Sequence, residues 1–213
     1  MNPEHKYKVI LADPPWNYAN AGCRGAAENH YPTMTLKEIC ALPINEMAAD
    51  DAVLLLWSTW PQLREGLEVV EAWGFDYVTG FPWLKIVGDP SFNFWGEWDI
   101  KPQYGVGFWV RGCSEPLFIA RKGNVSPPTD GFIGLLSENL RHSRKPENIY
   151  HYAEKLQGPY LELFARRPRE GWDSWGNQVE TAVEIEPKIV PTERRFGEQF
   201  GTGIMSNDIG PLP

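Results

Sequence analysis

Cysteine, positive charge and long apolar runs are all scarce in this chain. Its three cysteines, Cys23, Cys40 and Cys113, are scattered through 213 residues, odd in number and without Cys-x-x-Cys spacing. That leaves no basis for a disulfide framework or a thiolate zinc centre, and no metal is expected. Lysine and arginine total 20 against 28 aspartates and glutamates, a net charge of −8. This balance argues against a protein that coats nucleic acid through a broad basic face, although a local basic cleft is compatible with it. No apolar run reaches the ~20 residues of a membrane span, so no membrane partner is expected. The opening MNPEHKYK has no apolar signal region, and a reducing, cytoplasmic setting is expected. A glycine-rich G-x-G-x-x-G phosphate fingerprint is also missing. Tryptophan, by contrast, is abundant, with ten residues. Most are expected in the core, where an indole buries a large apolar area, and a few against a flat ligand.

The length suits one domain of ordinary size. KYKVILA, residues 6–12, reads as a strand ending at Asp13. Residues 14–34 are rich in Pro, Asn, Gly and Ala and read as a loop. TLKE, residues 35–38, has capping-box spacing and starts a short helix. AVLLLWS, residues 52–58, is a near-continuous apolar run, as in a strand covered on both faces. Pro61 opens a helix with Leu63, Leu67, Val70 and Trp73 on one face, and Gly74 ends it. FDYVTGFPWLK, residues 75–85, is a third strand. Residues 86–110 have no clear period and are too long for a plain connection, so they read as a functional loop. EPLFIARKG is a strand with a turn after it. Residues 124–145 read as irregular and end in the basic RHSRK. Pro146 opens another helix, with Ile149, Ala153 and Leu156 on one face, and YLELFAR is the last clear strand. The polar, proline-dotted segment 180–213 reads as an extended or disordered arm, leaving 1–179 as the domain. Strands alternating with helices imply an α/β fold with a mainly parallel sheet and helices on both faces. Ligands bind such sheets at the carboxyl ends of the strands, where Asp13 sits.

The run VILADPPWNY, residues 9–18, combines that strand end with a carboxylate, two prolines and aromatics. Asp and Pro are ordinary turn residues. The same residues also suit a flat aromatic amine, such as the exocyclic nitrogen of adenine, whose lone pair is delocalised into the ring. Two acceptors on its two N–H bonds favour the pyramidal, nucleophilic form. Asp13 can be one acceptor and the Pro14 carbonyl the other. Proline carries a carbonyl without a donor and its φ is fixed, while Pro15 restricts Pro14 to extended backbone. Trp16 or Tyr18 can then stack on the base. Acceptors preorganised where charge develops are commonly the largest catalytic contribution.

ADPPWNY resembles the signature of the N6-adenine methyltransferases related to the catalytic subunit of the eukaryotic mRNA adenosine methyltransferase. YPTMTLKEI, DDAVLLLWST, EAWGFDYVTGFPWLK, HSRKPENIY and LELFARRPREGWDSWGNQ resemble further segments of that family in the family's own order, over residues 7–178. The resemblance implies a Rossmann-like methyltransferase fold of circularly permuted motif order, which accounts for the missing early glycine-rich loop. It implies S-adenosylmethionine as cofactor. It assigns Asp13, Pro14, Pro15 and Trp16 to catalysis. Asp13, Lys145, Glu162, Phe164, Arg166, Asn177 and Gln178 are assigned to the donor. Lys145 can pair with the donor carboxylate, and Arg166, Asn177 and Gln178 can bind ribose hydroxyls. Glu162 lies inside a strand, where burial demands a partner, either Arg166 or a ligand hydroxyl. Trp16, Tyr18, His30, Tyr31, His142 and Arg144 are the substrate candidates.

The function implied is transfer of a methyl group to the N6 amine of adenine in DNA by direct displacement. RNA is the closest alternative, and a non-catalytic methyltransferase-like scaffold subunit is a second. The tryptophan and carboxylate content would also suit a carbohydrate-binding or hydrolytic protein. A homodimer or a partner subunit would add basic surface, with RHSRK, RRPR and ERR as the local candidates. The compact size resembles bacterial or phage members, implying a bacterial or phage-infected cytoplasm.

Overall fold

A computed structural model describes residues 6–17, 33–88, 91–92, 98–105, 109–128, 135–138 and 145–186. Its centre is β2, Ala48–Trp57, whose residues 52–57 are all buried. That apolar run cannot alternate, because both faces of the strand are covered. β1, Tyr7–Ala12, lies parallel to it in the register Val9 to Val53 through Ala12 to Leu56. β3 (Asp76–Ile86), β6 (Ser114–Lys122), β7 (Leu135–Glu138), β8 (Tyr160–Leu163) and β9 (Trp172–Trp175) complete a seven-stranded sheet. Its order is β7-β3-β6-β2-β1-β8-β9. β6 runs antiparallel to both neighbours, and every other adjacent pair is parallel. The fold is thus the expected mainly parallel, Rossmann-like α/β sheet. The outlying pair β4 (Ser91–Phe92) and β5 (Trp98–Asp99) forms a separate two-stranded ribbon.

The strands' period of two splits the core into two faces. Ile10, Leu54 and Leu56 meet Ile39, Val69, Val70 and Trp73. These come from α1 (Leu36–Cys40), α3 (Leu63–Ala72) and the turn after α3, with α2 (Ile44–Met47) alongside. Val9, Leu11, Val53, Leu55 and Trp57 meet Ile149, Tyr150, Tyr152 and Ala153 of α4, Asn148–Ala153. Each fully buried Leu or Ile contributes about 1.5–3 kcal/mol relative to exposure. Local signals set the helix ends. Thr35 and Glu38 form the expected capping box. Pro61 lies in a 3₁₀ turn, Trp60–Gln62, that leads into α3. Gly74, at φ +78°, closes α3, with Phe75 N–H donating to the Val70 carbonyl at 3.0 Å and Gly74 N–H to the Glu71 carbonyl at 3.0 Å. A left-handed residue is what this double closure requires.

Three readings of the sequence need correction. Residues 124–145 are not wholly irregular, because β7 extends the sheet beside β3. YLELFAR is not the last strand, because β9 adds the other edge. Residues 86–110 are not simply a loop. Val87 N–H donates to the Lys101 carbonyl, Gln103 N–H to the Lys85 carbonyl and Lys85 N–H to the Cys113 carbonyl, each at 2.8 Å. The excursion therefore leaves and re-enters the sheet at one place. Beyond Gln178 the chain remains on the body, with Ala182 N–H donating to the Ser174 carbonyl at 2.9 Å and Ile185 buried in the core. No described helix is long and apolar enough to cross a membrane.

Candidate active site

The carboxyl ends of β1, β2, β3 and β8 lie along one edge of the sheet. Because β6 is antiparallel, its beginning lies there too, and Glu115 sits opposite Trp83 of β3. This arrangement gathers a row of charges of alternating sign. Lys85 Nζ lies 2.5 Å from Glu115 Oε1, and Lys145 Nζ lies 2.9 Å from Glu115 Oε2 and 3.0 Å from Asp13 Oδ1. Arg166 is 3.9 Å from Asp13 Oδ2, too far for a direct hydrogen bond. The side chains of Asp13, Glu115 and Lys145 are 22, 18 and 16% exposed, so water screens them little. The row lies over a tryptophan floor. Lys145 Nζ is 5.3 Å from the Trp57 ring centroid and Lys85 Nζ is 4.9 Å from that of Trp83. The two indoles meet edge-on at 5.9 Å. Both lysines are within cation–π range.

The charges fix one another. Burial alone would raise the Glu115 carboxyl, but the Lys145 and Lys85 ammoniums outweigh it and hold the group at about 2. Burial alone would lower the Lys145 ammonium, but Asp13 and Glu115 outweigh it and push it above the usual lysine range.

A second group forms around the end of β8. Tyr150 of α4 donates its hydroxyl to Glu162 Oε1 at 2.9 Å, while Glu162 Oε2 is buried without a hydrogen-bond partner among the described residues. Burial raises the Glu162 carboxyl; Tyr150 and Arg169 pull it back, and the Asp13 charge pushes it further up. The Arg169 guanidinium lies 3.6 Å from the Tyr150 ring centroid and donates to Glu147, which also pairs with Arg167. After β8 the chain turns at Phe164, a non-glycine residue at φ +62°. Ala165 N–H donates to the Trp175 carbonyl at 2.9 Å. Gly176 follows at such close range that a Cβ there would lie 2.3 Å from the Ala165 carbonyl oxygen. Only glycine fits this approach. The GNQ spacing thus exists because β8 and β9 are parallel neighbours, and Asn177 and Gln178 emerge exposed beside the turn. An orphaned buried acceptor, a backbone cradle and a cation suit a polyhydroxylated ligand with an anionic head.

The structure brings Asp13, Lys145 and Arg166 together, and gathers Glu162, Phe164, Asn177 and Gln178 along the same edge. It finds Glu162 a different partner from those expected, namely Tyr150. Pro14 is buried, and its carbonyl accepts from Trp16 N–H at 2.9 Å, which leaves one lone pair open. The Pro15 carbonyl accepts from Met34 N–H at 2.9 Å. The stacking expected of Trp16 needs correction. The residue is only 6% exposed and its Nε1 donates to the Trp57 carbonyl at 3.2 Å, so it pins the loop to the sheet. Tyr18, His30, Tyr31, His142 and Arg144 lie outside the described residues. Among the described residues no group of three or more His, Cys, Asp or Glu could hold a metal.

The sequence reading missed Lys85, Glu115 and Tyr150. A usable signal existed for the first two: each is a charge at the functional end of an apolar strand, the same signal that marked Asp13.

The chain is similar to known methyltransferases over most of its length. The chain is 30% identical over 221 residues to the type II methyltransferase M.MunI of Mycoplasma sp, covering 92% of this chain and 86% of that one. It is 30% identical over 190 residues to the human N(6)-adenine-specific methyltransferase METTL4, covering 84% of this chain and 39% of that one. It is 28% identical over 207 residues to the human N(6)-adenosine-methyltransferase catalytic subunit METTL3, covering 94% and 32%. The chain thus spans most of the type II enzyme and about a third of each human one. The family model for MT-A70 matches residues 7–178, from the start of β1 to Gln178 of the GNQ turn, and the chain belongs to the MT-A70 family.

Proposed function

We propose that this protein transfers a methyl group from S-adenosylmethionine to the N6 amine of adenine in DNA. The observation that carries this reading is Asp13 at the tip of β1, beside the Lys145 cation and followed by the rigid Pro14 carbonyl. When bound, the donor supplies an electrophilic methyl group on its sulfonium. Asp13 and Pro14 accept the two N–H bonds of the amine, localise its lone pair and offset the positive charge that grows on nitrogen. Asp13 then stands within reach of the proton that the methylated nitrogen must lose. Lys145 holds the donor carboxylate. Glu162 Oε2 accepts a ribose hydroxyl, and Asn177 and Gln178 close the ribose side. No covalent enzyme intermediate is required.

The extent of likeness favours DNA. The chain matches nearly the whole of a type II methyltransferase and only part of the longer human proteins. A duplex adenine is out of reach, so the base is flipped or already single-stranded. Likeness to N(6)-adenosine-methyltransferases supports RNA as the second reading. We assign residues 1–179 to the catalytic domain and 180–213 to an arm whose first residues, through Ile185, pack on that domain, place the protein in a bacterial or phage-infected cytoplasm, and assign further basic surface to a second copy or a partner subunit. Methyl transfer from tritiated donor to DNA, to RNA and to neither tests the function. Transfer to DNA above RNA is expected, transfer to RNA alone selects the second reading, and no transfer to either refutes both.

A further inference from the structure

The proposed roles of Asp13 and Lys145 compete. Asp13 must accept an amine N–H and Lys145 must take a carboxylate, yet the two side chains are bonded to each other at 3.0 Å. Neither can be fully available while that bond stands. Lys145 is also bonded to Glu115 at 2.9 Å, and Glu115 is held from its other oxygen by Lys85 at 2.5 Å. Of its two carboxylate partners, Glu115 is therefore the anchored one. Arg166, at 3.9 Å, does not hold the second oxygen of Asp13 by a direct bond.

We propose that Lys145 is an exchange residue: it trades Asp13 for the carboxylate of the donor while Glu115 keeps it in the site. The inference rests on the methyltransferase reading. An ammonium has three N–H bonds and turns freely about its last carbon, so one bond stays on Glu115 while another changes partner. The Trp57 face beneath it, 5.3 Å from Nζ, supports the cation in either orientation. Lys85 is the positioning residue of this device. It balances the Glu115 charge, so that Glu115 tethers Lys145 without monopolising it. Exchange has a direct consequence: the Asp13 oxygen that Lys145 holds is released to the site when the donor head group arrives.

The test compares two ligands by calorimetry. S-adenosylhomocysteine carries the amino-acid head of the donor, and 5′-methylthioadenosine lacks it. Each is titrated into the parent protein, Asp13→Asn and Lys145→Met, with melting curves as a folding control. In the parent, S-adenosylhomocysteine is expected to bind more tightly than methylthioadenosine. Asp13→Asn removes the carboxylate that competes for Lys145. It should raise the preference for S-adenosylhomocysteine over methylthioadenosine about tenfold, the scale of one close opposite charge. Lys145→Met should bind the two ligands alike. A head-group preference in Asp13→Asn no greater than the parent's overturns the exchange. So does an undiminished head-group preference in Lys145→Met. If Lys145→Met does not fold, the Asp13→Asn titration decides alone. Failure of the parent to bind either ligand removes the methyltransferase reading itself, and that outcome is distinct from binding without exchange.

Discussion

Glu115→Gln is the most informative perturbation, because it removes the only described carboxylate lying between two lysines. Lys85 and Lys145 approach its two oxygens at 2.5 and 2.9 Å, and the side chain is 18% exposed. The carboxyl is held at about 2 against a usual 4.5. At about 1.4 kcal/mol per pH unit, that depression represents ~3 kcal/mol of folded-state stability. The raised Lys145 ammonium reports the same contacts and adds nothing further. A depressed carboxyl stabilises above its unfolded value and loses that contribution as pH falls through the folded one. The stability from Glu115 is therefore nearly complete above pH 4.5, reduced to roughly half at pH 3.5, and largely lost near pH 2. Urea unfolding of parent and Glu115→Gln at pH 7 and pH 3.5 measures this. The expected deficit of the variant is ~3 kcal/mol at pH 7 and roughly half that at pH 3.5. Equal midpoints at pH 7 would refute the argument, since the two lysines would then tolerate each other without a counter-charge.

Asp13→Asn should lower kcat by roughly 10²–10³-fold or more, because an amide N–H then faces the substrate's own N–H; methyl transfer at saturating donor and DNA measures it. Gly176→Ala should cost about 1–3 kcal/mol of stability through overpacking against the Ala165 carbonyl and abolish calorimetric binding of S-adenosylhomocysteine, since a Cβ has 2.3 Å where it needs more than 3 Å. Trp16→Phe should lose about 0.5–1.5 kcal/mol in denaturant unfolding with the indole hydrogen bond to Trp57, and leave the KM for nucleic acid near the parent value, as a buried pin should. With a net charge of −8, affinity for DNA should fall only shallowly with salt, because the slope follows the number of phosphate contacts; fluorescence anisotropy across a salt series measures it.

Much of this was readable from the chain because it is local. The Thr35 box, the Gly74 stop and the unbroken apolar run of β2 each lie within a few residues, and their physics is settled there. Asp13 was readable because a carboxylate at the end of an apolar strand has few structural uses. What could not be read depends on distant pairing. Lys85 and Glu115 are 30 residues apart and meet only because β6 reverses direction. Glu162 found Tyr150, 12 residues earlier, across the packing of α4 on the sheet. β7 and β9 are four-residue edge strands, defined by the neighbours they pair with more than by their own composition. Trp16 looked like a stacking residue because tryptophan beside a catalytic loop suits both roles, and only the position of the Trp57 carbonyl decides between them.

The hydrogen bond between Lys85 N–H and the Cys113 carbonyl, at 2.8 Å, makes the segment between them a detachable module. Its two ends stand side by side on the sheet edge, so a shorter or longer insert changes closure entropy by well under 1 kcal/mol for modest changes in length. β3 and β6 pair below that point and do not depend on what is inserted. An engineer could therefore transplant residues 88–112 from one relative to another as a cassette. The charge row of Lys85, Glu115, Lys145 and Asp13 would stay in place while the inserted segment is exchanged.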